Sequence, residues 1–161
     1  MAAEETTSNA PTSDSGDQTA PAAAAKPAAK GKKPKEPAVE DKPFAEFIEQ
    51  DFFPALEAAL TQQGIETPSL TLLKQPLSLV GSSGNQPCSQ VLAQWQQGQR
   101  QFRIYFLEGS IGGAKAFSYS TSNSVPSTLE SFMIDERKIT LDLLVFYTLQ
   151  RLNGQKWLVR N

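Results

Sequence analysis

The sequence has no histidine and only one cysteine, Cys88, in its 161 residues. Without histidine, neither a Ser-His nor a Cys-His catalytic pair can be assembled within the chain, and the commonest metal ligand is missing. A lone cysteine excludes a disulfide framework and any cysteine-only metal or cluster site. No metal and no cofactor is therefore expected. Long apolar runs are lacking too: the best candidate, Leu141 to Leu149, falls short of the ~20 residues that span a bilayer. The N-terminus has no apolar stretch for a secretory signal. Glu4, Glu5, Asp14 and Asp17 argue against an acid-poor plastid transit peptide. A peripheral location on the cytoplasmic or stromal side, with no transmembrane segment, is the expectation.

What is present is unevenly distributed. Residues 1–42 contain 11 Ala and 5 Pro but no aromatic, Leu or Ile, while all nine Phe, three Tyr and two Trp fall later. A segment without apolar area cannot offset its ordering entropy, so 1–42 reads as a disordered Ala/Pro/Lys-rich tail. Residues 43–161 then make a single domain. Within the tail, 26–37 carries five lysines and one acid. That composition suits a solubilising linker, or a tether to anionic lipid, nucleic acid or an acidic partner. Over residues 1–42, six lysines stand against seven acids, and no nucleic-acid arm is expected from that balance; the whole chain balances Lys+Arg 15 against Asp+Glu 17, a formal charge of -2.

The domain reads as α+β. Asp41 is a plausible cap, and Pro43 suits a first helical turn. Phe44, Phe47, Ile48, then Phe52 or Phe53, Leu56 and Leu60 recur at helical spacing, with Gly64 as the stop. Pro54 interrupts this stripe and predicts a kink or break near Asp51. Residues 69–75 read as a strand between Pro68 and Pro76, and 81–87 as a loop. Residues 88–96 and 101–107 form the clearest hairpin, with Phe102, Ile104 and Phe106 alternating against Gln101, Arg103 and Tyr105. A further strand over 114–120 completes an antiparallel meander of three to four strands. Residues 128–138 read as irregular or briefly helical. Ile139 to Leu152 predicts a C-terminal helix that stops at Asn153-Gly154 and carries more apolar surface than one sheet face can bury.

Chemistry-bearing patterns are sparse. The run Gly109–Lys115 imitates a phosphate loop but lacks its spacing and its helix, so a strand-connecting turn is expected. Asp135, Glu136, Arg137 and Lys138 read as a solvated charge cluster. Cys88 reads as a packed small residue. Phe102 alternates away from Arg103, which disfavours a base-stacking sheet. Charge is polarised: residues 43–66 hold five acids and no base, whereas 69–128 and 137–161 are net basic. A basic hairpin and C-terminus suit an acidic partner, and Arg100, Arg103, Lys156, Trp157 and Arg160 are the candidate partner-binding residues. Trp157 has an alternative role, packing back on its own sheet.

The segments Glu40–Gln50, Gly98–Phe106, Pro126–Lys138 and Leu152–Trp157 resemble the NdhV family, the V subunit of the cyanobacterial and chloroplast photosynthetic NAD(P)H dehydrogenase-like complex. The likeness spans residues ~40–161, about one domain, and leaves the tail unmatched. It implies a non-catalytic peripheral subunit on the hydrophilic arm of that complex I-like assembly at the thylakoid. Such a subunit would sit near the S and I subunits and support ferredoxin-dependent cyclic electron flow around photosystem I. The other reading is a free-standing α+β domain that holds a small ligand between sheet and terminal helices.

Overall fold

The chain is described by a computed structural model over residues 38–79, 82–126 and 128–158. The expectations for residues 1–37 and for Arg160 lie outside the described residues. A 3-10 turn, Val39–Asp41, opens the described part, and Asp41 accepts from the Ala38 N–H at 3.2 Å. Asp41 thus caps this turn and not the following helix. The domain starts before the expected boundary at 43.

The predicted interruption at Pro54 takes an unexpected form. Helix α1 (Phe44–Glu46) passes into a π-wound segment, Phe47–Phe52, and then into α2 (Phe53–Gln62). Proline has no N–H to give to the carbonyl four residues back. The wider winding absorbs this locally, for the Phe53 N–H reaches the Ile48 carbonyl five residues back. Beside it, the Lys42 ammonium holds both carboxylate oxygens of Asp51, at 2.7 and 2.9 Å.

Five strands follow as an antiparallel meander in sequential order: β1 (Ser69–Leu79), β2 (Ser82–Trp95), β3 (Arg100–Phe106), β4 (Lys115–Thr121) and the short β5 (Glu130–Ser131). Two expectations need correction. The Gly/Ser/Pro-rich run 81–87 is mostly strand, because β1 and β2 stay paired past Pro76. There Pro76 stands opposite Pro87, and the register shifts between Pro76 and Ser78. Two facing prolines concentrate their missing donors on one rung, and the Gln90 side chain clamps the region by donating to the Gln75 carbonyl at 2.9 Å. The approach to the last helix also contains β5, too short to leave a periodic signal, so the sheet has five strands and not three or four.

The two sheet faces differ in chemistry. One carries Val91, Ala93, Trp95, Phe102, Ile104, Phe106 and Phe117, all buried against Phe47, Ile48, Phe52, Leu56 and Leu60 of the helical run and Leu144 and Leu152 of the last helix. Each Val, Leu, Ile or Phe among them contributes roughly 1.5–3 kcal/mol on leaving water. The other face is largely polar and hydrogen-bonded, with Gln90, Gln101, Tyr105 and Ser118 buried. Gln101 Nε2 donates to Ser120 Oγ at 2.6 Å and to the Ser124 carbonyl at 2.8 Å, and the Tyr105 and Ser118 hydroxyls lie 2.9 Å apart. Cys88 packs there with Tyr105 and Ala116 as a small buried residue.

Helix α3 (Leu141–Gly154) begins two residues after the expected Ile139. Thr140 Oγ1 accepts from Leu143 N–H at 3.3 Å, and the Glu40 carboxylate accepts from Leu141 N–H at 2.9 Å. A charge from the far end of the chain thus completes the cap and faces the positive end of the helix. Near the other end Arg151 pairs with Glu130 and lies over the Phe117 ring, 5.6 Å from its centroid. Among the described residues, no helix is long and apolar enough to cross a membrane.

Candidate binding cleft

Two helix ends and one hairpin turn converge at the Trp95 end of the sheet. Helix α2 ends in a Schellman turn: Ile65 N–H bonds to the Leu60 carbonyl and Gly64 N–H to that of Thr61, both at 3.0 Å. Gly64 takes the left-handed conformation, φ 83, which costs a glycine nothing sterically. Helix α3 ends in the same motif, with Trp157 N–H on the Leu152 carbonyl at 3.1 Å and Lys156 N–H on that of Asn153 at 2.8 Å. The helix stops at Gly154, as the sequence suggested, and the left-handed position that follows is Lys156, φ 55. The turn throws Trp157 back against the sheet. Between β2 and β3 the loop passes through Gln96, Gln97 and Gly98, all at positive φ.

These parts form an open cleft of about 610 Å³, lined by Trp95, Arg100 and Trp157 and also by Glu66, Thr67 and Gln97. Trp157 meets Trp95 edge-on at 5.4 Å and Tyr119 edge-on at 5.6 Å between ring centroids. The Arg100 guanidinium lies 5.8 Å from the Trp157 ring centroid, a cation–π arrangement. Thr67 is β-branched and sits at φ 45, a genuine outlier for its type. Left-handed backbone at non-glycine residues costs on the order of 1–3 kcal/mol each where surrounding structure enforces it, and such strain collects at binding sites. Here Thr67, Gln96 and Gln97 line the same cleft.

The candidate partner residues from the sequence are dispersed. Arg100 and Trp157 come together in the cleft, and Lys156 is exposed beside them. Arg103 is three residues from Arg100 on the same strand, so it points to the polar face of the sheet and does not share this site. Trp157 adopts its intramolecular role and packs on Trp95 and Tyr119 while staying half-buried. Sequence reasoning missed Glu66, Thr67 and Gln97. Nothing in their local pattern marks them, because left-handed backbone at Thr or Gln has no composition signal.

The remaining motifs resolve simply. In the loop 107–114 the phosphate-loop-like lysine, Lys115, donates to the Ile111 and Gly113 carbonyls at 2.8 and 2.7 Å and starts a strand. Burial lowers its pKa from the ordinary lysine value, partly offset by Glu108. In the 135–138 cluster, Glu136 accepts the Tyr147 hydroxyl at 2.5 Å, and this hydrogen bond raises the Tyr147 pKa.

No curated protein matches the chain significantly. A family model described as a protein of unknown function (DUF2996) matches residues 38–159, which is the described domain almost end to end, and the chain belongs to that family.

Proposed function

We propose that this protein is a non-catalytic, partner-docking subunit, peripheral to the photosynthetic NAD(P)H dehydrogenase-like complex on the stromal or cytoplasmic side of the thylakoid. In this role it stabilises the hydrophilic arm, near the S and I subunits, and supports ferredoxin-dependent electron input. The resemblance of Glu40–Gln50, Gly98–Phe106, Pro126–Lys138 and Leu152–Trp157 to the NdhV family motivates the assembly. The observation that carries the docking role is the outer side of α3. The helix fully buries Leu144, Thr148 and Leu152, leaves Leu141, Leu143, Val145 and Leu149 half-buried, and holds Phe146 at 52% exposure. A helix this apolar around its circumference has surface to give to a neighbour. The Arg100–Trp157 cleft adds a second anchor of the residue types that dominate interfaces.

Co-purification from cyanobacterial extract tests the proposal, with full-length chain, a 1–37 deletion and a Phe146→Glu variant. The deletion stops at 37 because Glu40 caps α3. Dehydrogenase subunits are expected with the first two baits, weakening as salt rises, and are expected to be lost with Phe146→Glu. An exposed substitution of this kind changes stability by only about 0.5 kcal/mol. Recovery of a lone monomer at every salt concentration would overturn the proposal. The open cleft of about 610 Å³ keeps the ligand-binding reading as the second one, and a metabolite retained by that monomer would favour it.

A further inference from the structure

Among the described residues both Arg103 and Arg151 bury an Nε without an acceptor, but every partly withdrawn cation other than Arg103 has an acceptor at one of its nitrogens. Lys42 holds Asp51, Arg151 holds Glu130, Lys115 is taken by two carbonyls, and Arg100 Nη1 donates to the Trp157 carbonyl at 3.3 Å. Lys74, Arg137, Lys138 and Lys156 are exposed and hydrated. Arg103 is half-buried, its Nε is shielded from solvent, and among the described residues no atom accepts from it.

Its surroundings say what would. Arg103 lies mid-strand on the polar face, opposite Leu92 on β2 and Ser118 on β4. Ser118 and Tyr105 bond to each other and carry no charge to neutralise a guanidinium. Leu92 and, diagonally beyond it, Leu73 are half-buried on the same face. A partly desolvated cation without a counter-charge lowers the stability of the free protein. The planar fork matches a carboxylate in two parallel hydrogen bonds, and the leucine rim suits a carboxylate carried on an apolar polypeptide better than a strongly hydrated dianion.

We propose that Arg103 is a recognition point for a carboxylate on an acidic segment of a partner protein. The inference rests on the docking role above and supplies the chemistry of one contact, on the sheet face remote from the helices. Its distinguishing property is a trade of stability for binding.

Thermal melting of the full chain tests it, using Arg103→Met and Arg103→Gln with a synthetic peptide of alternating Glu and Leu. Without peptide, both variants should melt at or a few degrees above wild type, where a structural arginine would leave them lower. The peptide should raise the melting temperature of wild type, as a ligand of the native state does, and leave both variants unmoved. Three results overturn the proposal: variants that melt below wild type, a peptide shift that survives in them, or an equal wild-type shift from a Gln/Leu peptide or inorganic phosphate. Peptide selectivity without co-purified dehydrogenase subunits removes that partner and leaves this site standing. Co-purification without peptide selectivity does the reverse.

Discussion

Arg100 Nη1 donates to the Trp157 carbonyl at 3.3 Å while its guanidinium lies 5.8 Å from the Trp157 ring centroid, so one side chain holds a residue 57 positions away by both its main chain and its ring. Arg100→Ala removes the hydrogen bond and the cation–π contact together. A loss of about 1–2 kcal/mol is expected in chemical denaturation, with a drop in tryptophan emission anisotropy or a red shift as Trp157 loosens. An unchanged spectrum and midpoint would mean that the indole is held by Trp95 and Tyr119 alone.

Glu40→Gln should reveal how far the N-terminal turn supports the last helix. The amide still accepts from Leu141 N–H, but the negative charge beside the helix start is gone, so a loss of about 0.3–1 kcal/mol is expected. Glu40→Ala removes the acceptor as well and should cost about 1 kcal/mol or more. A Glu40→Gln variant as stable as wild type in urea titrations would show that the charge is irrelevant, and equal stabilities for the two variants would show that the hydrogen bond is.

Backbone strain gives predictions of opposite sign. Lys156→Gly and Gln97→Gly each place the permissive residue at a left-handed position, φ 55 and 57, and should raise stability by about 0.5–1 kcal/mol. Gly98→Ala should lower it by more than that, since φ is 80 and the new Cβ would run into the Asn123 side chain. If Lys156 also touches a partner, Lys156→Gly will stabilise the fold and weaken co-purification at once.

Alkaline titration isolates Tyr147. Its hydroxyl donates to the Glu136 carboxylate, and its pKa is raised above 10.0 by that bond. The folded state therefore retains a proton that the unfolded state releases. The contribution of Tyr147 to stability is complete below pH 10 and fades as pH climbs through its folded pKa. Tyr147→Phe should remove a late-titrating phenolate component from the ultraviolet absorbance and flatten the stability curve in that window. Glu136→Gln should shift the component to lower pH.

Much of the fold was legible locally. The stripe Phe47, Ile48, Leu56 and Leu60 named the helix face that meets the sheet, although packing alone selects Phe52 over Phe53; the alternation Phe102–Arg103–Ile104–Tyr105–Phe106 named both sheet faces, and Gly64 marked a true helix end. These signals are short-range because side-chain direction repeats every 3.6 or 2 residues. The misreadings share a cause. Residues 82–87 are rich in turn formers, yet pairing with β1 carries them into the sheet, and β5 owes its existence to Ala116 and Phe117 alongside it. The last helix ends at Gly154 as read, but the left-handed turn after it falls at Lys156, where Trp157 gains Trp95 and Tyr119 as neighbours.

The sequence by itself determined the domain's composition, its apolar helix and strand faces, the want of histidine and the uneven charge, all properties of neighbours along the chain. Only the tertiary structure decided that Glu40 caps a helix 101 positions on, that Arg100 meets Trp157, and that Arg103 is left without an acceptor among the described residues. Those facts depend on which distant surfaces meet when apolar faces leave water, and no periodicity along the chain records that meeting.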